Sequence, residues 1–488
     1  MIYNVHLADA NEHFVGFYAQ IETFGSDKIK LQLPAWRPGR YELGNFAKNI
    51  RKLKISDDKG ASLDFYKLSK DCWEINCSNH QVIHVSYEYF AKQPDAGACY
   101  VSESLLYLNP VHCFMYVVGR EEELFTIKLN VPKHWQIACQ LTSANHTFQA
   151  QNFDQLADSP FFASPNLLHH SFGLNQTTIH FWFEGGVVAD MALLEEQTRK
   201  YALAQTKIFG ELPLTDYHFL YLILPDKFRH GVEHADSTVI AMGPSSSINE
   251  VDFYNDFLAI SSHELFHLWN IKRMRPEEMW PYDFTKENYS RLGYIYEGVT
   301  TYYGDLMLLR SGVWNLETYL KSLASDLERH LNNPGRNHYS LADSSFDTWL
   351  DGYVPGVKGR KVSIYMEGLI AAWVADIEVL NQTKGALRLD DVMRELYNHS
   401  YKRGVGYSQR MYQELLENMS GLNFDTYFSE LIDGFGHWEK YLHRTFELLG
   451  LEFFISENEL GYLSCELKIK DNLSFSQKEL FEFWIKRA

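Results

Sequence analysis

Hydrophobic and polar positions follow two different periods along this chain. Up to about residue 185, apolar residues alternate with polar ones, as they do at 83–89 and 125–131. Such alternation is typical of half-buried β-strands. Gly, Pro and Asn separate these short segments at regular intervals, and the last of them covers 177–183. The pattern predicts an all-β sandwich over residues 1–186.

Beyond residue 187, apolar positions recur mainly at helical spacing, apart from a predicted buried strand at 217–224. The predicted helices are 189–209, 253–274, 297–311, 362–381, 389–399, 408–419 and 424–432. A β-rich stretch followed by a mostly helical one predicts a multidomain α+β fold. The expected domains are the sandwich at 1–186, a helical domain at 187–452 and a short C-terminal extension at 453–488.

Length and charge narrow the classes of function. A chain of 488 residues exceeds one ordinary core, and its formal charge of −18 disfavours nucleic-acid binding. No run of 18 apolar residues and no charged leader occur, so a cytoplasmic protein without membrane association is expected. The six cysteines lack a metal-type spacing, which indicates core thiols without disulfides.

The segment HELFH, from His263 to His267, is the part of the chain most informative about chemistry. Two histidines four residues apart lie on one face of a helix, where they can bind one Zn²⁺ while Glu264 reaches its water ligand. The pattern can arise by chance in a chain with 20 histidines. Here it lies within a predicted apolar helix, where two His and a Glu need partners. The sequence predicts a zinc hydrolase.

A catalytic zinc site takes three protein ligands and leaves one position open. Glu297 is the expected third ligand because it begins another predicted helix, although it could instead stabilise that helix N-terminus. Glu277, Glu278 and Glu287 are weaker candidates. Glu264 is the candidate general base, and a solvated helix residue is the alternative interpretation. Spacing alone does not identify a donor for the substrate oxyanion among the many Tyr and His residues.

Residues 263–276 (HELFHLWNIKRMRP) and 296–303 (YEGVTTYY) resemble the glycyl-aminopeptidase family of zinc metallopeptidases, which belongs to the thermolysin-like gluzincins. Further similar segments are 33–41 (LPAWRPGRY), 45–50 (NFAKNI) and 158–160 (DSP). The resemblance covers roughly residues 1–452. It implies a thermolysin-like catalytic domain, one Zn²⁺ per chain, and removal of N-terminal Gly or Ala from peptides with a free N-terminus.

By that resemblance His263, His267 and Glu297 are the zinc ligands and Glu264 is the catalytic acid/base. The segment SIYMEG resembles the S-Y-Y-x-K-G stretch that carries the transition-state tyrosine of related peptidases. Tyr365 is therefore the expected oxyanion donor. A core tyrosine in an aromatic-rich helix is the alternative.

The segment HGVEH at 230–234 resembles the G-G-L-E-H segment of the family, on a strand beside the substrate. Gly231 and Glu233 are then the expected substrate-binding residues. An extended peptide can pair with such a strand edge, and Glu233 would face the substrate ammonium. An ordinary strand-end carboxylate is the alternative interpretation of Glu233.

Three positions depart from the family pattern. His230 replaces a Gly, Thr301 replaces an Asp that commonly supports a ligand histidine, and Glu367 replaces a Lys. Residues 453–488 are too few for the PDZ domain that family members often carry. These departures motivate a second hypothesis, a peptide-binding or scaffolding protein with weakened catalysis. An endopeptidase that needs no free amine is a third.

Overall fold

A computed structural model of the chain describes residues 1–187, 190–352 and 356–486. The chain divides into two units, each built from separate stretches. The first, here the β unit, comprises Met1–Val188, Leu214–Glu250 and Tyr282–Glu287. The second, here the helical unit, comprises Ala189–Pro213, Val251–Pro281 and Asn288–Ala488. A β-rich region followed by a mostly helical one confirms the predicted multidomain α+β class.

The β unit is formed mainly by short strands. In chain order they are β1 Ile2–Asp9, β2 Phe14–Glu22, β3 Lys28–Gln32, β4 Ile50–Asp57, β5 Phe65–Ser69, β6 Cys72–Asn76, β7 Val82–Phe90, β8 Tyr100–Val101, β9 Leu106–Leu108, β10 Tyr116–Val117, β11 Phe125–Asn130, β12 Gln136–Ala138, β13 Ser143–Ala144, β14 Thr147–Ala150, β15 Phe161–Ser164, β16 Leu168–Leu174, β17 Thr177–Glu184, β18 Asp216–Ile223, β19 Phe228–Glu233 and β20 Ser237–Gly243. Its short helices are 3₁₀ Phe46–Asn49, α1 Pro110–Cys113, α2 Phe153–Ala157 and 3₁₀ Ser245–Ser247.

Among the described residues these strands form four sheets. Their strand orders are β13-β14-β11-β1-β2-β7-β4, β10-β3-β6-β5, β12-β15-β9-β8 and β16-β17-β18-β20-β19. In the last sheet β17 runs parallel to β18, and β19 is an edge strand antiparallel to β20. Trp182, Leu220 and Val239 from this sheet belong to one apolar core with Tyr107 and Phe162.

The β unit does not end at residue 186, the boundary expected from the sequence. Strands β18, β19 and β20 extend the sheet that β16 and β17 begin, while residues 189–213 between them belong to the helical unit. Parallel strands need a long connection, so their pairing is not visible in local sequence patterns.

The helical unit contains longer helices and one hairpin. In chain order its elements are α3 Met191–Phe209, α4 Val251–Phe266, 3₁₀ Glu277–Met279, π Tyr294–Val299, α5 Thr300–Arg310, α6 Leu316–Leu331, 3₁₀ Pro334–Asn337, α7 Leu341–Phe346, α8 Thr348–Asp351, α9 Met366–Thr383, α10 Leu389–His399, 3₁₀ Tyr401–Arg403, α11 Gln409–Ser420, α12 Asp425–Tyr427, π Phe428–Ile432, α13 Trp438–Leu449, β21 Leu451–Glu457, β22 Leu463–Ile469 and α14 Phe475–Ile485. None of the helices among the described residues is both long enough and apolar enough to cross a membrane.

The predicted helix 253–274 ends earlier than expected, at Phe266. Beyond it the chain makes wider turns, in which Lys272 N–H donates to His267 O and Met274 N–H donates to Trp269 O. Ile271 adopts a positive φ of 91°, which a continuing α-helix does not allow. The side chains of this turn are buried like those of the helix, so apolar residues continue at helical spacing beyond Phe266. The sequence pattern therefore does not show where the helix ends.

Candidate metal centre

Helix α4 brings the two histidines of the HELFH segment together. His263 lies in its last turn, and His267 follows directly, with its N–H still donating to His263 O at 3.3 Å. The two Nε2 atoms are 3.0 Å apart, and the rings are nearly perpendicular, at 85°. The predicted pairing of the imidazoles is therefore present in the structure.

Glu297 completes the cluster from a separate segment. Its Oε2 lies 3.3 Å from His267 Nε2 and 3.6 Å from His263 Nε2. Ligand atoms of tetrahedral zinc, at about 2.0–2.2 Å from the metal, are roughly 3.4 Å apart. The three ligand atoms therefore fit a single zinc ion. The weaker candidates Glu277 and Glu278 are instead exposed on the 3₁₀ helix Glu277–Met279.

Glycines allow the ligand-bearing segments to approach this closely. A Cβ on Gly298, beside Glu297, would lie 2.3 Å from Gly368 Cα in α9. A Cβ on Gly304 in α5 would lie 3.2 Å from both Cα and Cβ of His263. Glu297 itself is in the π-helical turn Tyr294–Val299, a widened geometry that often occurs at functional sites.

Burial and charge act in opposite directions on Glu297. Burial would raise the pKa of its carboxyl, but the adjacent His267 and His263 rings, when protonated, outweigh this and lower the pKa to about 2. The carboxyl is therefore ionised, as a metal ligand must be. His267 Nδ1 donates to the Asn270 main-chain O at 3.0 Å, so in the neutral ring, the form that binds a metal, Nε2 is the atom with a lone pair.

Glu264 and Tyr365 border the cluster. A carboxylate oxygen of Glu264 lies within 4.8 Å of a ring nitrogen of His267, and the side chain is buried. The Tyr365 ring centroid is 6.3 Å from that of His263, and the residue is half-buried at the start of α9. The structure thus brings both predicted catalytic residues next to the predicted ligands.

Glu367 follows Tyr365 by two residues and is fully buried. Its Oε1 accepts a hydrogen bond from His330 Nδ1 at 3.1 Å, and its Oε2 accepts one from Ser363 N–H at 2.9 Å. The carboxylate thereby closes the turn that carries Tyr365. Where the family pattern has Lys, this chain therefore has a buried Glu whose carboxylate is hydrogen-bonded by His330.

Gly231 and Glu233 lie on the edge strand β19 of the β unit. Glu233 is buried and packs against Gly39, where an added Cβ would lie 2.5 Å from Glu233 Oε2. Gly39 has a positive φ of 74°, which suits glycine. Next to this strand, His234 Nδ1 donates to Asp158 Oδ1 at 3.1 Å. Three segments that carried the family resemblance therefore meet inside this unit.

Two kinds of residue at the cluster were not identified from the sequence. Asn270 lies within the segment that carries the family resemblance, but no role was assigned to it from the sequence. Its contact with His267 forms only because α4 ends at Phe266, and this helix end was not predicted. Gly298 and Gly368 face each other across 70 residues, so local patterns do not relate them. The sequence feature that could have indicated this close approach is the glycine directly after Glu297.

Solved structures of peptidases share this fold. An aminopeptidase N family protein from Idiomarina loihiensis matches with a TM-score of 0.87 and 26% identity, over 93% of this chain and 79% of that chain. An M1 zinc metallopeptidase mutant from Deinococcus radiodurans, bound to a Tyr-Ser-Ala substrate, matches with a TM-score of 0.54 and 14% identity over 91% and 93%. The M1 zinc metallopeptidase from the same organism gives 0.52 and 13% over 86% and 90%. No curated protein matches the chain significantly.

Family models match both parts of the chain. Residues 2–165 match the peptidase M61 N-terminal domain, and residues 256–371 match the M61 glycyl aminopeptidase domain. The second match contains His263, Glu264, His267, Glu297 and Tyr365, and the two together cover more than half of the 488 residues. The chain belongs to the M61 glycyl aminopeptidase family of peptidases.

Proposed function

We propose that this protein is a zinc-dependent aminopeptidase that removes N-terminal Gly or Ala from peptides, with one Zn²⁺ per chain. The observation that carries the proposal is the convergence of His263 Nε2, His267 Nε2 and Glu297 Oε2 within 3.6 Å of one another. These atoms supply the nitrogen and oxygen donors that catalytic zinc sites use. Membership of a peptidase family supports the same reaction class.

Zinc bound by these three residues would lower the pKa of a water ligand and polarise the scissile carbonyl. Glu264 would accept a proton from the attacking water on its carboxylate and deliver it to the leaving amine nitrogen. The Tyr365 hydroxyl would donate a hydrogen bond to the oxygen that becomes negative on the substrate carbonyl. Burial of Glu264 keeps its carboxylate near the ligand cluster and away from bulk water.

Glu233 is the residue we assign to the substrate ammonium, and the edge of β19 at Gly231 would pair with the substrate main chain. A buried carboxylate beside a charged amine gives a charge-assisted hydrogen bond, which would favour peptides with a free N-terminus. The preference for Gly or Ala rests on the family. Nucleic acids and membranes are not expected partners, and a cytoplasmic location remains a prediction.

A catalytically weakened peptide-binding protein is the alternative suggested by the departures from the family pattern. Glu367 is paired with His330, and Thr301 Oγ1 donates to Glu297 O at 2.8 Å, so both replacements have defined partners in the fold. The ligand set and Glu264 are retained. These observations favour the enzyme over the scaffold.

The test combines metal analysis with a cleavage profile. Purified protein should contain one zinc per chain and should release Gly or Ala from peptides with a free N-terminus, while chelation should abolish cleavage and added zinc restore it. N-acetylated copies of the same peptides should not be cleaved. Tight peptide binding without cleavage would support the scaffold, and undiminished cleavage of acetylated peptides would contradict the role of Glu233.

A further inference from the structure

Asn270 connects the two segments that carry the metal ligands of the helical unit. It lies three residues beyond His267, in the turn that follows α4, and its exposed fraction is 0%. Its main-chain carbonyl contacts one ligand, and its side chain contacts the segment of the other. Burying a polar side chain in this place is costly unless its hydrogen bonds are made.

The early end of α4 makes the carbonyl of Asn270 available. In a continuing α-helix this oxygen would accept from the N–H of Met274. Here Met274 N–H donates to Trp269 O at 2.8 Å, and Asn270 O instead accepts from His267 Nδ1 at 3.0 Å. This hydrogen bond fixes the ring orientation and the tautomer of His267, with Nε2 facing the cluster.

The side-chain amide of Asn270 uses both of its hydrogens on the Glu297 segment. Nδ2 donates to Ile295 O at 2.8 Å and to Thr300 Oγ1 at 3.0 Å. Thr300 Oγ1 in turn donates to Tyr296 O at 2.8 Å. The two main-chain carbonyls directly before Glu297 are therefore tied, directly or through Thr300, to one amide group.

We propose that Asn270 is a positioning residue that holds His267 and Glu297 in the relative geometry that binds the metal. This inference rests on the proposed function, because it requires zinc at the cluster. An aspartate of the same shape could not substitute, since it would place an acceptor against Ile295 O. Thr301 does not provide this link, because its hydroxyl donates to the main-chain O of Glu297 itself.

The experiment measures the zinc dissociation constant by competition with a chromophoric chelator for the wild type, Asn270→Ala and Asn270→Asp. Both variants should bind zinc about 10- to 100-fold more weakly, the usual effect of losing a residue that orients metal ligands. With saturating zinc, kcat should recover much of its wild-type value. Circular dichroism of the zinc-free proteins checks that they are folded.

Asn109 in the β unit offers a matched control. It is also 0% exposed, and its Nδ2 donates to one main-chain carbonyl, Ala98 O at 2.5 Å, and to one hydroxyl, Tyr107 OH at 2.7 Å. Asn109→Ala removes the same kinds of bond and should lower stability while leaving zinc affinity within twofold of the wild type.

The outcomes separate this inference from the proposed function. A wild type that binds no zinc would overturn the proposed function, whereas a folded Asn270→Ala with wild-type zinc affinity would overturn the positioning role alone. If Asn270→Ala does not fold, Thr300→Val tests the same link, because it removes the hydroxyl that joins Asn270 to Tyr296 O. Thr300→Val should weaken zinc binding, and Thr300→Ser, which keeps the hydroxyl, should bind zinc like the wild type. Unchanged affinity in Thr300→Val would then contradict the proposal.

Discussion

At the scale of single residues, the centre of the helical unit concentrates groups that are costly to bury. His267, Glu264 and Glu297 each expose 5% of their surface or less. Ionised or polar side chains persist in such a place when a partner compensates for the lost water. The mutual distances of the two histidines and Glu297 match a shared metal ion, and Glu264 is the residue of this set that we propose for proton transfer.

Replacing Glu264 by Gln tests that division of roles. The amide keeps the size of the side chain but cannot take a proton from water, so kcat should fall by about 10²- to 10⁴-fold. Zinc content should stay at the wild-type level because the ligands are untouched. Steady-state kinetics on a glycyl peptide and metal analysis provide the two readouts. The exposed Glu277→Gln should retain full activity, and full activity in Glu264→Gln would remove Glu264 from the mechanism.

Tyr365 can be tested by removing one oxygen atom. Tyr365→Phe leaves the ring beside His263 and deletes the hydroxyl that would stabilise the oxyanion. A loss of kcat of about 10²- to 10³-fold with little change in KM is expected, as for other oxyanion donors. Tyr462→Phe, on the exposed hairpin, is the control. A Tyr365→Phe variant with wild-type kcat would show that the tyrosine is a packing residue.

At the scale of elements, the contact between the π-helical turn and α9 sets the position of Glu297. Gly298→Ala would place a Cβ 2.3 Å from Gly368 Cα, so one backbone must move. Overpacking of this kind costs about 1–3 kcal/mol of unfolding free energy, and the displaced Glu297 should also weaken zinc binding. Urea unfolding and chelator competition measure both effects.

Gly356→Ala is the control for this contact, because among the described residues no heavy atom outside its chain neighbours lies within 4 Å of the added Cβ. It should leave both the unfolding free energy and the zinc affinity unchanged. Equal zinc affinities of Gly298→Ala and the wild type would mean that the π-helical turn tolerates displacement without moving Glu297.

The stacked histidines on β17 and β18 should make the stability of the β unit sensitive to acid. His218 accepts a hydrogen bond from Trp182 Nε1 at 3.1 Å, and its ring stacks on that of His180 at 4.5 Å. Burial, helped by the charge of His180 and opposed by Asp216, lowers the pKa of His218 to about 3. The unfolded chain binds this proton near pH 6.5, so stability is lost as the pH falls from there towards 3.

Because the unfolded chain protonates at His218 and the folded chain does not, the unfolding free energy should fall by about 2 kcal/mol between pH 7 and pH 5. His218→Asn retains an acceptor near the Nδ1 position but does not titrate, so its unfolding free energy should fall less over that interval. The exposed His134→Asn should behave as the wild type. Urea unfolding at the two pH values measures the difference, and equal declines in His218→Asn and the wild type would refute the assignment.

At the scale of the whole molecule, local patterns predicted what depends on neighbours in sequence. The spacing of His263 and His267 is local, and the structure brings them together as expected. The membership of β18, β19 and β20 in the β unit was not predicted, since it depends on pairing with β17 across residues 185–215. The π-helical turn was also not predicted, because it is stabilised by α9 and Asn270, which are remote from it in sequence.

The C-terminal residues show the same limit. The sequence suggested an extension at 453–488, yet α14 places Trp484 in the interior of the helical unit with 0% exposure. Its ring stacks on Trp373 at 5.6 Å, and its Nε1–H donates to Tyr302 OH at 3.0 Å. This one side chain links the end of the described chain to α5 and α9, the helices that follow Glu297 and Tyr365.

Trp484→Ala should therefore destabilise the helical unit by about 3–5 kcal/mol, the usual cost of removing a large buried aromatic ring. Phe475→Ala in the same helix is the matched control, because that ring is 76% exposed and should contribute little. Urea unfolding monitored through the release of zinc would report on the helical unit specifically, since the three proposed zinc ligands all belong to it. If Trp484→Ala were as stable as Phe475→Ala, α14 would be an appendage and the catalytic core would end before it.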